Sequence, residues 1–396
     1  MVQRSLLLER LEKWRGKPIV KVLTGVRRCG KSVLLKQFQE ALLASGVAPD
    51  RIVSVDFEDL SNEFLLDYRA LHDHVVKRLK SGETTYVFLD EVQRVEGFQK
   101  TVDSLLLRPG VDIYMTGSNA SLLSGELATL LSGRYVEIEV LPFSFAEYAS
   151  RPGLDAEEAW RRYFSTGGFP FLAGIEDRAS RIDYLAGIFN TVLVKDILAR
   201  KTLQDAPLLE RIAAFLAGNA GSPVSSSKIS AFLTSGGRKT VPQTVDHYLR
   251  ALDDAFLFYR VPRWDLRGKE QLKSLSKHYM VDPGLRAVLL SHPDRDVGHV
   301  LENFVFLELR RRGWKTVTGK IANREIDFVA ERDGRRLCIQ VAATVLDDAV
   351  YEREAAPLRA VRDGSGRLLL SLDATPRGED GIRHIHARDF LGGAEI

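Results

Sequence analysis

Cysteine is almost missing from this 396-residue chain: Cys29 and Cys338 are its only two. They form no metal-binding spacing and no disulfide framework, which points to a reducing compartment. No apolar run approaches the roughly 18–20 residues that span a bilayer, so no membrane partner is expected. The opening MVQRSLLLERLEKW carries too much charge after its three leucines for a signal peptide, and a cytoplasmic location is expected. Charge of one sign is lacking as well. Lys and Arg number 56 against 53 Asp and Glu, a net +3, which excludes a global pull toward nucleic acid and leaves only local basic surface. What the chain does have is 45% hydrophobic and 28% charged residues, enough to build real cores. Its length fits about two to four domains.

One stretch carries a specific chemistry. VKVLT (20–24) is a short β-branched run, and SVLLKQFQEALL (32–43) has helical periodicity. Between them GVRRCGKS (25–32) satisfies G-x4-G-K-S. Glycines let successive backbone N–H groups turn inward around a phosphate, and the helix that follows directs its positive end at the same anion. Gly25, Val26, Arg27, Arg28, Cys29, Gly30, Lys31, Ser32 and Val33 are therefore the expected nucleotide cradle. Lys31 is assigned to the β/γ-phosphates and the Ser32 hydroxyl to Mg²⁺.

YVFLDEVQ (86–93) supplies a partner, a buried-strand run ending in two acids. Asp90 would hold the Mg²⁺ shell, and Glu91 would orient or deprotonate an attacking water. A third strand, VDIYMTG (111–117), ends in Ser118 and Asn119. Asn119 is assigned to the γ-phosphate or the water, a role compatible with capping the next helix. Gly133-Arg134 precedes YVEIEV (135–140), and Arg134 is either a finger for transition-state charge, in cis or from a neighbouring subunit, or a surface arginine. The expected cofactors are ATP and Mg²⁺.

GVRRCGKS (25–32), VFLDE (87–91), TGSNA (116–120), GR (133–134) and LPFSFAEY (141–148) together resemble one branch of the AAA-type P-loop ATPases. GGFP (167–170) and YLAGIFNTVLVKDILAR (184–200) extend the resemblance to predicted bacterial and archaeal ATPases that carry a domain of unknown function, the AAA_14 plus DUF4143 type. That resemblance implies a three-layer parallel sheet of order 5-1-4-3-2, ATP hydrolysis and frequent self-assembly, and it names no substrate.

The remaining chain is divided from the ATPase domain (1–148) into a helical lid or linker (149–215), a winged-helix-like domain (216–292) and a last domain (296–396). In the lid, Lys195, Asp196 and Arg200 read as a solvated helix face. AGNAGSPVSSS (217–227) is a breaker-rich boundary. Two helices and an alternating hairpin follow. Residues 221–280 hold ten Lys/Arg against five acids. Duplex DNA is the expected partner there, through Arg238 and Lys239 at the turn and Arg250, with Thr244 and His247, on the second helix. Protein docking is the alternative. The last block, an amphipathic helix at 299–314 and strands at 325–332 and 336–344, resembles the restriction-endonuclease-like α/β fold. By that resemblance Glu302 and Asp327 are candidate metal ligands. Its third motif reads Gln340-Val341-Ala342, which lacks the acid and the lysine, so nuclease activity is not expected. The whole reads as an ATP-driven switch or motor. An ATP-regulated DNA nuclease and a nucleotide-sensing signalling or scaffold protein that binds another protein are the alternatives, and a homo-oligomer is a further expected partner.

Overall fold

The computed structural model describes residues 2–80, 82–118, 131, 133–199, 203, 205–266, 270–290, 296–321 and 323–396, with 270–274 described by backbone alone. The chain divides into two compact units, Met1–Val140 with Asp254–Phe256, and Leu141–Asp253 with Leu257–Ile396. No helix among the described residues is long and apolar enough to cross a membrane.

In the first unit five strands run parallel: β1 (Val20–Thr24), β2 (Ile52–Asp56), β3 (Thr85–Asp90), β4 (Val111–Thr116) and β5 (Tyr135–Glu139). Among the described residues their order is β2-β3-β4-β1-β5, the inserted order that the resemblance implies. Parallel neighbours need crossovers. After α1 (Ser5–Lys13), α2 (Lys31–Ala44) joins β1 to β2, α3 (Tyr68–Val76) joins β2 to β3, and α4 (Phe98–Leu106) joins β3 to β4. With helices on both faces, the strands bury both sets of side chains and read as continuous apolar runs. Val20, Val22, Val87, Leu89, Ile113 and Met115 pack with Leu71 and Val75 of α3 and with Val102 and Leu105 of α4. On the opposite face Phe38 of α2 meets Phe88 and Tyr114, with ring centroids 6.4 and 5.1 Å away.

Lys21 departs from this apolar pattern. It is fully buried in β1 and pairs with buried Asp112, which also accepts from the Tyr114 hydroxyl (3.0 Å) and the Gly16 amide (2.8 Å). An interior charge persists only when it is paired and hydrogen-bonded in this way. Burial pushes the Lys21 ammonium below its ordinary value, and Asp112 pulls it back.

The second unit begins with α5 (Phe145–Ala149), α6 (Ala156–Thr166), α7 (Arg178–Thr191) and a π-helical turn at Val192–Leu198. Consecutive residues of a helix point about 100° apart, and here Asp196 is buried while Lys195 is exposed. A single solvated face for the two is corrected on that account, and Arg200 lies outside the described residues. α8 (Ala206–Gly218), α9 (Ser226–Ser235) and α10 (Pro242–Asp254) lead into a hairpin of β6 (Phe258–Asp265) and β7 (Glu270–Met280). Three helices and a hairpin are the elements expected of a winged helix. The hairpin, however, belongs to a larger sheet. After α11 (Val297–Arg311) come β8 (Lys315–Ile321), β9 (Arg324–Arg332) and β10 (Arg335–Val341), then α12 (Asp348–Arg359), β11 (Gly366–Ser371) and β12 (Arg383–His386). β6 pairs in parallel with β8, and among the described residues seven strands run β12-β11-β10-β9-β8-β6-β7.

Two motifs with no evident chemistry turn out to build this unit. In LPFSFAEY, Ser144 and Glu147 form a reciprocal capping box on α5, at 3.0 and 2.8 Å. In GGFP, Gly167 sits at φ +80°, where a Cβ would lie 1.6 Å from the Asp282 carboxylate. That buried carboxylate accepts from the amides of Gly168 and Gly284, each at 2.7 Å. Burial pushes the Asp282 carboxyl up to about 7, against the pull of those amides.

Asp282→Ala leaves two buried amides without an acceptor, at about 1–3 kcal/mol each. Three of the four tryptophans (Trp160, Trp264, Trp314) lie in this unit, so the urea midpoint read by fluorescence should fall clearly. An unchanged midpoint would show that the carboxylate does not hold the turn.

Candidate functional site

In a parallel sheet the carboxyl ends of the strands share one edge, and that edge is where α/β proteins bind ligands. Leu23 of β1 lies opposite Thr116 of β4, and Leu89 of β3 opposite Met115. The register therefore brings the loop after β1, the acids ending β3 and the threonine ending β4 together.

The loop is shaped by its backbone. Gly25 adopts φ +140°, and a Cβ there would lie 2.2 Å from the Val140 carbonyl oxygen. Gly30, at φ +102°, opens α2, and Arg28 also holds a positive φ of 66°. Val26 and Cys29 are buried beneath the loop, Arg27 pairs with Glu58 at 3.7 Å, and Arg28 and Val33 face solvent. Burial raises the Cys29 thiol above its ordinary value, which keeps it protonated. The Lys31 ammonium is buried and donates to the loop's own carbonyls, Gly25 O at 2.9 Å and Val26 O at 3.1 Å.

Beside the loop stands a chain of polar contacts. The Ser32 hydroxyl lies close enough to the Asp90 carboxylate to favour its charged form. Thr116 Oγ1 donates to Asp90 Oδ1 at 2.5 Å and accepts from the Glu91 amide at 2.9 Å. Burial raises the Asp90 carboxyl above the usual range, the Ser32 and Thr116 hydroxyls lower it, and the nearby Glu91 and Asp56 charges raise it again. Glu91 itself occupies the left-handed region, φ 55° and ψ 45°, and its carboxylate accepts from the Gln93 amide. Such a conformation in a non-glycine residue costs of order 1–3 kcal/mol and survives only where its surroundings fix it.

Lys31, Ser32, Asp90 and Glu91, assigned from sequence, thus meet at one edge. Asn119 lies outside the described residues. Arg134 does not join them. Its carbonyl accepts from the Val20 amide at 2.9 Å and Tyr135 lies opposite Val20, so it sits at the amino edge of the sheet. That is about 16 Å along the strand from Gly25 at ~3.3 Å per residue. Its guanidinium donates to Asp103 at 2.6 Å. A finger acting in cis is corrected on that distance.

Three contributors escape a reading by motif. Thr116 is visible only once β3 and β4 are in register. Gln93 follows the acid pair but belongs to no pattern. Arg4 lies far upstream, where it is buried and donates to the Cys29 carbonyl at 3.1 Å, bracing the loop from below.

The cradle fits a phosphate chain: at Gly25 a side chain is excluded, and a lysine and a helix N-terminus face the same loop. Ser32 and Asp90 offer the hard oxygen ligands that Mg²⁺ takes.

The second unit holds another charged cluster, at the candidate metal ligands. The Lys277 ammonium of β7 lies 2.8 Å from Glu302, 3.0 Å from Asp327 and 3.1 Å from Glu325. Gln340 bridges outward, accepting from the Asp327 amide at 3.4 Å and donating to Glu354 at 2.9 Å. Among the described residues no group of three or more His, Cys, Asp or Glu can hold a metal ion. A divalent ion does not fit between Glu302 and Asp327 while the ammonium is there, which corrects their assignment as ligands. Farther upstream, Arg238 is tied to Asp205, whereas Lys239, His247 and Arg250 are exposed and Thr244 half-buried.

Comparison with known proteins places these features. Residues 17–149 match the family described as AAA domain, and residues 157–296 match a domain of unknown function, DUF8612. The second match replaces DUF4143. The motifs read as pointing there, GGFP and the long helix, are fold-building elements and do not discriminate between such domains. An uncharacterized protein of Haemophilus influenzae is 37% identical over 398 residues, covering 99% of this chain and 98% of its own. An uncharacterized protein of Methanocaldococcus jannaschii is 28% identical over 366 residues, 87% of this chain and 79% of its own. The solved structure of a Walker-type ATPase of Pyrococcus abyssi covers 73% of this chain and 96% of its own at 17% identity, with a TM-score of 0.50, a likeness of fold.

Gly25→Ala should lower the melting temperature of the first unit, because the new Cβ meets the Val140 carbonyl and the backbone must shift. Calorimetry checks this; an unaltered transition would mean that the loop tolerates a side chain there.

Proposed function

Because residues 17–149 match the AAA domain family, we infer that the protein binds ATP in the Gly25–Val33 loop and hydrolyses it as a nucleotide-driven switch or motor. The observation that supports this best is the Asp90–Thr116–Glu91 chain of hydrogen bonds at the carboxyl edge of the sheet, with the Ser32 hydroxyl beside Asp90. Mg²⁺, when bound, supplies charge neutralisation on the phosphate oxygens.

The protein's own groups carry the rest. Lys31 exchanges its two carbonyl contacts for phosphate oxygens, bringing a charge where none of the loop's amides can. Ser32 and Asp90 would hold the metal, and Thr116 keeps the Asp90 oxygens aimed. Glu91, oriented by Thr116 through its backbone and by Gln93 through its carboxylate, accepts a water proton at a carboxylate oxygen. Asn119 is assigned to the water or the terminal phosphate, and Arg134 to a neighbouring copy of the chain. Duplex DNA, gripped through Lys239 and Arg250, is the finer proposal for the second unit. Affinity that falls steeply with added salt for every sequence supports it, and affinity indifferent to salt excludes it.

Lys31→Ala should abolish or greatly weaken binding of labelled ATP; wild-type affinity would overturn the loop assignment. Glu91→Gln should bind ATP but turn it over about tenfold more slowly or worse, since the metal ligands remain and the proton acceptor does not. Thr116→Val, nearly isosteric, removes hydrogen bonds to a carboxylate and an amide. Loss of the charged one alone costs about 1.5–3 kcal/mol, so turnover should fall about tenfold or more. Phosphate release assays read both variants, and unchanged rates in either would move the catalytic role elsewhere.

A further inference from the structure

Lys277 is 1% exposed, and its ammonium sits among carboxylates from two elements, Glu302 on α11 and Glu325 and Asp327 on β9. Two of its N–H donors hydrogen-bond Glu302 and Asp327, and Glu325 completes the surround as an ion pair. The oxygens are committed too. Glu302 Oε1 also accepts from the Tyr279 hydroxyl at 2.6 Å, and Asp327 Oδ2 from the Val341 amide at 3.0 Å. Glu302 is further confined by Gly221, where a Cβ would lie 2.7 Å from its carboxylate. Glu302 and Asp327 are buried, while Glu325 is half-buried and also pairs with Arg263 at 3.5 Å. Two buried acids side by side would repel each other without a cation, and the ordinary remedy for hard oxygen ligands is a divalent ion. Here the cation arrives on the chain. Its position on β7 matters, because the motif position that would carry a lysine, just past the end of β10, is Ala342.

We infer that the Lys277 ammonium is a built-in cation that takes the place of a divalent metal among Glu302, Glu325 and Asp327. The cluster thereby fastens β7 to α11 and β9 without metal, and a divalent-cation site opens there only when the lysine is removed. Any nuclease chemistry at these carboxylates is blocked by the same contact. The inference is independent of the nucleotide reading, which concerns other residues.

The test uses the full chain without nucleotide, in an Asp90→Asn background so that the Ser32–Asp90 pair takes no metal. Bound Mn²⁺ is read by electron paramagnetic resonance, and melting is followed with chelator or with millimolar Mn²⁺. With Lys277 present, no Mn²⁺ should bind at these carboxylates and chelator should leave melting unchanged. Lys277→Ala, or Lys277→Gln if the first does not fold, should melt several degrees lower in chelator and recover with Mn²⁺. It should bind about one ion per chain, with octahedral oxygen ligation of the kind such ions take. Adding Asp327→Asn should abolish that binding. Mn²⁺ bound by the lysine-containing chain and lost on Asp327→Asn would overturn the inference without any need for the lysine variant to fold. A folded Lys277 variant that neither takes up Mn²⁺ nor loses stability would overturn it as well.

Discussion

The Thr116 hydroxyl gives its proton to Asp90 and takes one from the Glu91 amide, and the geometry of the candidate site depends on that pair of bonds. It fixes two adjacent acids in different roles. Asp90 continues the strand and is turned toward Ser32 and the loop, while Glu91 breaks into a left-handed conformation that swings its side chain elsewhere. Without an acceptor for its amide at that point, Glu91 would have little reason to hold a strained backbone. The parallel sheet makes the arrangement possible, because only a register that ends β1, β3 and β4 at one edge brings Thr116 within reach.

Much of the loop is legible in sequence because its chemistry is local. Gly25, Gly30, Lys31 and Ser32 follow one another along the chain, and a strand and a helix flank them. The acids ending β3 are legible for the same reason. Thr116 is not, since its role depends on strand pairing and its neighbours Ser118 and Asn119 offer equally suitable polar atoms. Arg4 and Cys29 lie 25 positions apart, and no periodicity connects them. Arg134 illustrates the reverse failure: a motif position near in sequence to the site falls at the far edge of the sheet.

In the second unit, counting charge along the chain misleads for a physical reason. A lysine contributes to a basic surface only if its charge reaches solvent. Lys277 spends its charge on three carboxylates, and Arg238 on Asp205, so the excess between residues 221 and 280 is smaller at the surface than in the sequence. The hairpin carries a comparable lesson. Its alternation is real, yet alternation cannot say which sheet a strand will join, and β6 finds β8 some fifty residues on. GGFP and LPFSFAEY, by contrast, are explained by contacts: the first leaves room for Asp282, and the second caps a helix.

The contact of Lys31 with the carbonyls of Gly25 and Val26 has a consequence for selectivity. The loop answers its own cation, so an incoming anion competes with two oxygens already in place. An anion that touches only the amides leaves that internal pairing intact and gains nothing from the lysine. One long enough to reach the ammonium must replace both carbonyls at once, so attraction grows in a step as the anion lengthens. On the nucleotide reading, the gain from Lys31 therefore comes only to an anion that reaches past the loop's amides.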